Sequence, residues 1–142
     1  MSYSLSFSQA IMVVIFVGDK VEKGFYDFVP TKELSSTLNI PRPTAVKILS
    51  NLSSAGIIQT REGARGGVRL AISPAEVTIL DVFHAIETGK ALFRHDFAPR
   101  VSGGKPTRAQ QSVLTVLNDA EEAMQQRLQQ TTIADLLAEL NS

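Results

Sequence analysis

The chain contains no cysteine. That absence removes disulfides, thiolate nucleophiles, redox-sensing thiols and thiolate-held zinc or iron–sulfur centres. Histidine is scarce too: His84 and His95 are too few for most metal sites unless carboxylates or a second subunit contribute. No apolar run reaches the roughly 18 residues that a transmembrane helix needs. The most apolar window, Ala10 to Gly18, fits a buried helix and lacks the basic lead-in and cleavage site of a signal peptide. A cytoplasmic protein that does not touch membrane is the expectation. Net charge is missing as well, with 14 basic and 14 acidic residues. No nucleophile–base pair and no carboxylate pair has a convincing context, so an enzyme is not expected.

What remains is ordinary in bulk and uneven in detail. At 142 residues, 44% hydrophobic and 20% charged, the chain can bury one core. Between Ile40 and Ile72 the charges are Arg42, Lys47, Arg61, Arg65 and Arg69 against Glu62 alone. From Thr107 onward Arg108 and Arg127 face Asp119, Glu121, Glu122, Asp135 and Glu139. A basic middle beside an acidic tail is a pattern of nucleic-acid binders.

Periodicity predicts a buried helix from Ser6 to about Gly18, then a loop from Asp19 to Val29. Thr31 is placed to cap a short helix ending at Leu38, with Asn39 turning the chain. In the segment RPTAVKILSNLSSAG, Ala45, Ile48, Leu49 and Leu52 form one apolar stripe, and Gly56 stops the helix. Pro43, Thr44, Lys47, Ser50, Asn51 and Ser54 fall on the opposite face, which carries no carboxylate. Solvated helix faces usually mix both signs, whereas a face without acids suits phosphates and base edges.

Two β-rich runs, Ile57–Arg61 and Val68–Ile72, flank EGARGG and read as a hairpin with arginines at its tip. The glycines lack phosphate-loop spacing and open no helix, so a nucleotide site is not indicated. A two-helix unit followed by a basic hairpin is the winged helix-turn-helix arrangement. Thr78 and Asp81 form a capping-box pattern for a further helix with Gly89 as its end. Phe93 to Pro106 reads as irregular; a long helix follows from about Thr107 to Gln130, with Val113, Leu117, Ala120, Met124 and Leu128 on one stripe. A short helix over Thr132–Leu140 closes the chain.

These stretches resemble the Rrf2 family of winged-helix regulators, which includes iron–sulfur cluster, nitric-oxide and cysteine-metabolism regulators. IPRPTAVKILSNLSSAGII is similar to the family's recognition helix at Ile40, Ile48, Leu49, Leu52, Ala55 and Gly56. TREGARGGVRLA is similar to its wing at Arg61, Gly63, Gly66, Gly67 and Leu70. PAEVTILDVFHAIE matches the following segment at Pro74, Thr78, Leu80, Asp81, Ala85 and Glu87, and TTIADLLAEL fits the family's ending. Pro41 stands where a helix-capping Ser is common, Thr44 and Ala45 replace a larger pair, and Val68 replaces an aromatic. Cluster-binding members carry three cysteines before the long helix; this chain has none.

The resemblance implies a bacterial DNA-binding regulator, mainly α with a small β-hairpin wing and a long C-terminal dimerisation helix. Residues 1–90 would be the winged helix-turn-helix domain, 91–106 a loop at the family's sensor position, and 107–142 the dimerisation and final helices. A homodimeric repressor on a pseudo-palindromic operator in double-stranded DNA is the expected function. The alternative is a winged-helix interaction module that has lost DNA binding. Lys47, Arg61, Arg65 and Arg69 are the expected phosphate or minor-groove contacts, and Arg42, Thr44, Ser50 and Asn51 the expected base-edge contacts. Arg94, His95 and Arg100 are candidates for a small-molecule or protein effector; His84 reads as packed or interfacial. No cofactor, metal or catalytic residue is expected. The purified protein should be colourless, and anaerobic iron–sulfide reconstitution should add no visible absorption. A stoichiometric cluster that alters DNA binding would mean that His, Asp or Glu replaces the thiolates.

Overall fold

A computed structural model describes residues 5–88 and 104–142. Its elements are α1 (Leu5–Glu22), α2 (Thr31–Leu38), α3 (Arg42–Ser54), β1 (Ile58–Arg61), β2 (Gly67–Leu70), α4 (Ile79–Ile86), α5 (Gly104–Gln129) and α6 (Ile133–Leu140). A short 3-10 turn at Pro74–Glu76 links β2 to α4. The expected class, mostly helical with one hairpin and a long C-terminal helix, is the one observed.

Helix α1 runs through the centre. Ala10, Val13, Val14, Val17 and Gly18 follow helical spacing and are buried. Added at Gly18, a Cβ would lie 3.3 Å from Leu70 and 3.4 Å from Leu137, so wing base and last helix both close onto this point. The helix continues to Glu22, one turn beyond the sequence expectation. Its charges disguise that turn: Asp19 is buried and meets Lys23 Nζ at 2.9 Å, an i,i+4 pair along the helix. Phe7 meets Phe83 edge-on, centroids 5.4 Å apart, joining α1 to α4.

Thr31 is not the cap of α2; it is the first helical residue. Extended Pro30 (φ −61, ψ 139) occupies the cap with no side-chain bond, and its carbonyl accepts from Leu34 N at 3.1 Å. Asn39 adopts φ 52 and ends the helix, the left-handed role its small amide tolerates. Pro41 likewise leads into α3 without a side-chain cap. Pro43 in the first turn removes one N–H that would otherwise need a partner, which lessens the need for the missing Ser. Ala45, Ile48, Leu49 and Leu52 are all buried, as the stripe required.

The hairpin pairs Ile58 with Leu70, Gln59 with Arg69, Thr60 with Val68, and Arg61 with Gly67. Val29 adds an isolated antiparallel bridge: its N–H donates to Val68 O at 2.7 Å and its carbonyl accepts from Val68 N at 2.9 Å. The loop before α2 therefore lies against the wing.

Helices α4 and α6 start side by side. Thr78 and Asp81 form the expected capping box, and Thr132 and Asp135 form a second with matching distances, 2.9 and 3.1 Å in each. The two capping threonines bridge antiparallel, with Ile79 N donating to Thr131 O and Ile133 N to Val77 O. Ile133 and Leu137 thereby join the core.

Helix α5 behaves differently. It begins at Gly104, so Pro106 falls in the first turn, where a missing N–H costs nothing, rather than ending a loop. None of its described positions is buried. Leu114, Leu117, Met124 and Leu128 are half-buried, while Val113 and Ala120 of the expected stripe are exposed. Helix α4 ends at Ile86 with Glu87 as its C-cap, before the expected stop at Gly89, which lies outside the described residues. No described helix is long and apolar enough to cross a membrane.

Replacing Thr132 by Ala should lower stability by about 1 kcal/mol, a few degrees in Tm. Thr115→Ala, which removes only an exposed Oγ1 bond to Gln111 O, is the control. Equal melts for the two variants would show that the second cap contributes nothing.

Candidate nucleic-acid interface

The α3 face away from the core presents Arg42, Pro43, Val46, Lys47, Ser50, Ser53 and Ser54 to solvent. Thr44 and Asn51 sit at its flank and are half-buried. Asn51 borders a recess of about 500 Å³ shared with Asp81, His84 and Thr88 of the α4 segment. Arg42, Val46 and Ser50 instead line a groove of about 720 Å³ between α3 and the wing. Thr60, Arg61 and Gly63 form the opposite wall, and Lys32 stands at its end. Val46, 53% exposed, was not among the sequence candidates. It fell off the apolar stripe, and its being bare and apolar on a polar face is the signal that could have found it.

The wing turn is shaped by glycine. Gly63 (φ 102) turns the chain, and Gly66 N donates to Gly63 O at 3.0 Å. Gly67 has φ 152, and an added Cβ would run into the carbonyl of Val29. Only glycine lets the strand approach Val29 this closely.

The three wing arginines have different surroundings. Arg65 is exposed at the tip. Arg61 folds back: its Nη2 donates to Arg65 O at 2.7 Å and its Nε to the same oxygen at 3.2 Å, bracing the turn. Its Nη1 reaches Asp27 Oδ2 at 3.3 Å, and its Cζ stands 4.1 Å from the Phe28 ring centroid. Arg69 does much the same from β2, with Nη1 3.1 Å from Asp27 Oδ1 and Cζ 4.4 Å from the ring. With its oxygen turned towards Arg69, the Gln59 amide accepts from Nε at 2.8 Å and Nη2 at 2.9 Å. Asp27 and Phe28 were not foreseen, because they lay in a segment without periodicity. Arg94, His95 and Arg100 lie outside the described residues.

A family model described as "Rrf2: Iron-dependent Transcriptional regulator" matches residues 3–139. The chain belongs to the Rrf2 family. Membership places it among transcriptional regulators rather than enzymes. The HTH-type transcriptional regulator NsrR of Geobacillus kaustophilus is 31% identical over 137 residues, covering 90% of this chain and 84% of that protein. The solved structure of CymR, the global cysteine regulator of Bacillus subtilis, has the same fold at TM-score 0.69 and 19% identity, covering 98% of each chain. IscR of T. potens superposes at TM-score 0.72 and 17% identity, over 99% of this chain and 88% of that one. The chain spans only 38% of the length of an Aquifex aeolicus relative and 65% of a Mycobacterium tuberculosis one.

A thiolate-held iron–sulfur cluster does not fit this member's donors. A thiolate-held cluster needs cysteines, and the sequence has none. Among the described residues, no three His, Cys, Asp or Glu side chains gather as a metal site.

Gly67→Ala should cost about 2 kcal/mol, because strain and a clash with Val29 coincide. Gly63→Ala, with open space around it, should cost nearer 1 kcal/mol. Thermal melts of both would show it; equal losses would mean that the Val29 contact yields freely.

Proposed function

We propose that the protein is a sequence-specific DNA-binding repressor that acts in the bacterial cytoplasm as a homodimer on a pseudo-palindromic operator. The observation that carries this reading is the α3 face: cationic, small and polar, free of carboxylates, and continued by a glycine-shaped wing with Arg65 bare at its tip. Such a surface meets the phosphate backbone with cations and leaves short side chains to approach base edges. Arg65 and Lys47 supply phosphate contacts, and Arg61 and Arg69 add charge while Arg61 braces the turn. Arg42, Ser50, Thr44 and Asn51 are the base-reading candidates, to which Val46 is added. An exposed methyl pair in mid-helix suits the methyl group of thymine.

Dimerisation is supported by α5, where Val113 and Val116 are 54% and 65% exposed along a helix with no buried position among its described residues. A second copy offers the same apolar strip for a two-fold contact. In this reading residues 1–90 meet DNA, 107–142 pair the subunits, and bound protein represses by occluding a promoter.

The test uses a duplex selected by the purified protein from a random pool, beside a scrambled control. Arg65→Ala should weaken both equally and flatten the salt dependence by about 0.9 in log–log slope. Val46→Ala should spare the control and lose roughly 1 kcal/mol of discrimination at one base pair. Sedimentation should give two chains per duplex. If Arg65→Ala binds both duplexes normally at every salt concentration, the wing does not touch DNA and an interaction module is favoured instead.

A further inference from the structure

The geometry points to Asp27 as a built-in counter-anion of the wing, one that lowers the affinity for duplex DNA of any sequence by neutralising part of the charge on Arg61 and Arg69. This rests on the DNA-binding reading above and deepens it.

One carboxylate serves two cations through separate oxygens, Oδ2 to Arg61 at 3.3 Å and Oδ1 to Arg69 at 3.1 Å. The trio therefore offers a phosphate one net positive charge instead of two. The carboxylate is not needed to hold the arginines in place. Arg61 is also fixed by the Arg65 carbonyl and the Phe28 ring, and Arg69 by the same ring and the Gln59 amide. With Asp27 65% exposed and the arginines 43% and 39% exposed, these ion pairs add little to stability. Their effect lies in the field that the surface presents.

Position keeps the anion there. Asp27 is two residues before Val29, whose backbone is paired with Val68 in the wing, so the carboxylate moves with the hairpin. Sequence-independent DNA binding depends almost wholly on cations displacing the counterions of phosphate. An anion fixed beside two of those cations subtracts from that term. Base contacts on α3 are untouched, so matched and unmatched duplexes are weakened by the same factor. The protein then dwells less on DNA of any sequence, and its preference for its site is unchanged.

The experiment titrates wild type, Asp27→Asn and Asp27→Glu against a labelled random-sequence duplex at several salt concentrations. Asp27→Asn should bind roughly 3- to 10-fold more tightly near 50 mM salt, with a log–log slope steeper by up to about 0.9. Asp27→Glu, which keeps the charge, should behave like wild type, and all three should melt together. If Asp27→Asn binds no more tightly at an unchanged slope, or melts well below wild type, Asp27 shapes the wing and the proposal is wrong while the DNA-binding reading stands. If wild type shows no salt-dependent binding to any duplex, both fail.

Discussion

Two main-chain hydrogen bonds between Val29 and Val68 tie the hairpin to the helix-turn-helix. They are possible because Gly67 has no side chain to strike the Val29 carbonyl. Residue 30 then enters α2 immediately, so the bridge also fixes where the helix pair begins. The two residues before Val29 are carried beneath the wing arginines, and the groove between α3 and the hairpin has a set width. Lose that pairing and the charges, the groove and the helix entry would lose their common reference.

The far side of the molecule is held by the same economy of backbone pairing. Two capping boxes stand back to back, joined by a bridge between their threonines. Each satisfies its helix's first N–H groups locally, and the bridge uses groups left over. The bridge therefore fixes the start of α6 beside the start of α4. Apolar packing completes the closure: Ile133 and Leu137 fill the core beside α1.

Much of the architecture was legible because it rests on local rules. The stripe Ala45, Ile48, Leu49, Leu52, the Asn39 turn, the glycine-rich tip and the Thr78–Asp81 cap are each written within a few residues. Thr132 and Asp135 repeat that cap pattern and were equally open to reading. Misreadings came where chemistry and geometry diverge. Asp19, Lys20 and Glu22 read as a loop, yet they extend α1, where Asp19 is buried and paired with Lys23 just past the helix end. Pro106 read as a breaker, yet it sits in a first turn. The grip of Asp27 on Arg61 and Arg69 spans 34 and 42 residues of sequence, beyond any local pattern. Val46 was passed over because it falls off the apolar stripe, although an apolar residue on a polar face was itself a signal.

Helix α5 has 26 residues and no buried position among those described, so a single chain covers little of its surface. Whatever covers that helix stabilises the folded state by mass action. For a chain that covers it with a second copy, the unfolding midpoint rises with its own concentration. The number of molecules in the cell then becomes a determinant of lifetime, and the last dilute copies of a regulator whose synthesis has stopped are the ones most readily removed by proteases.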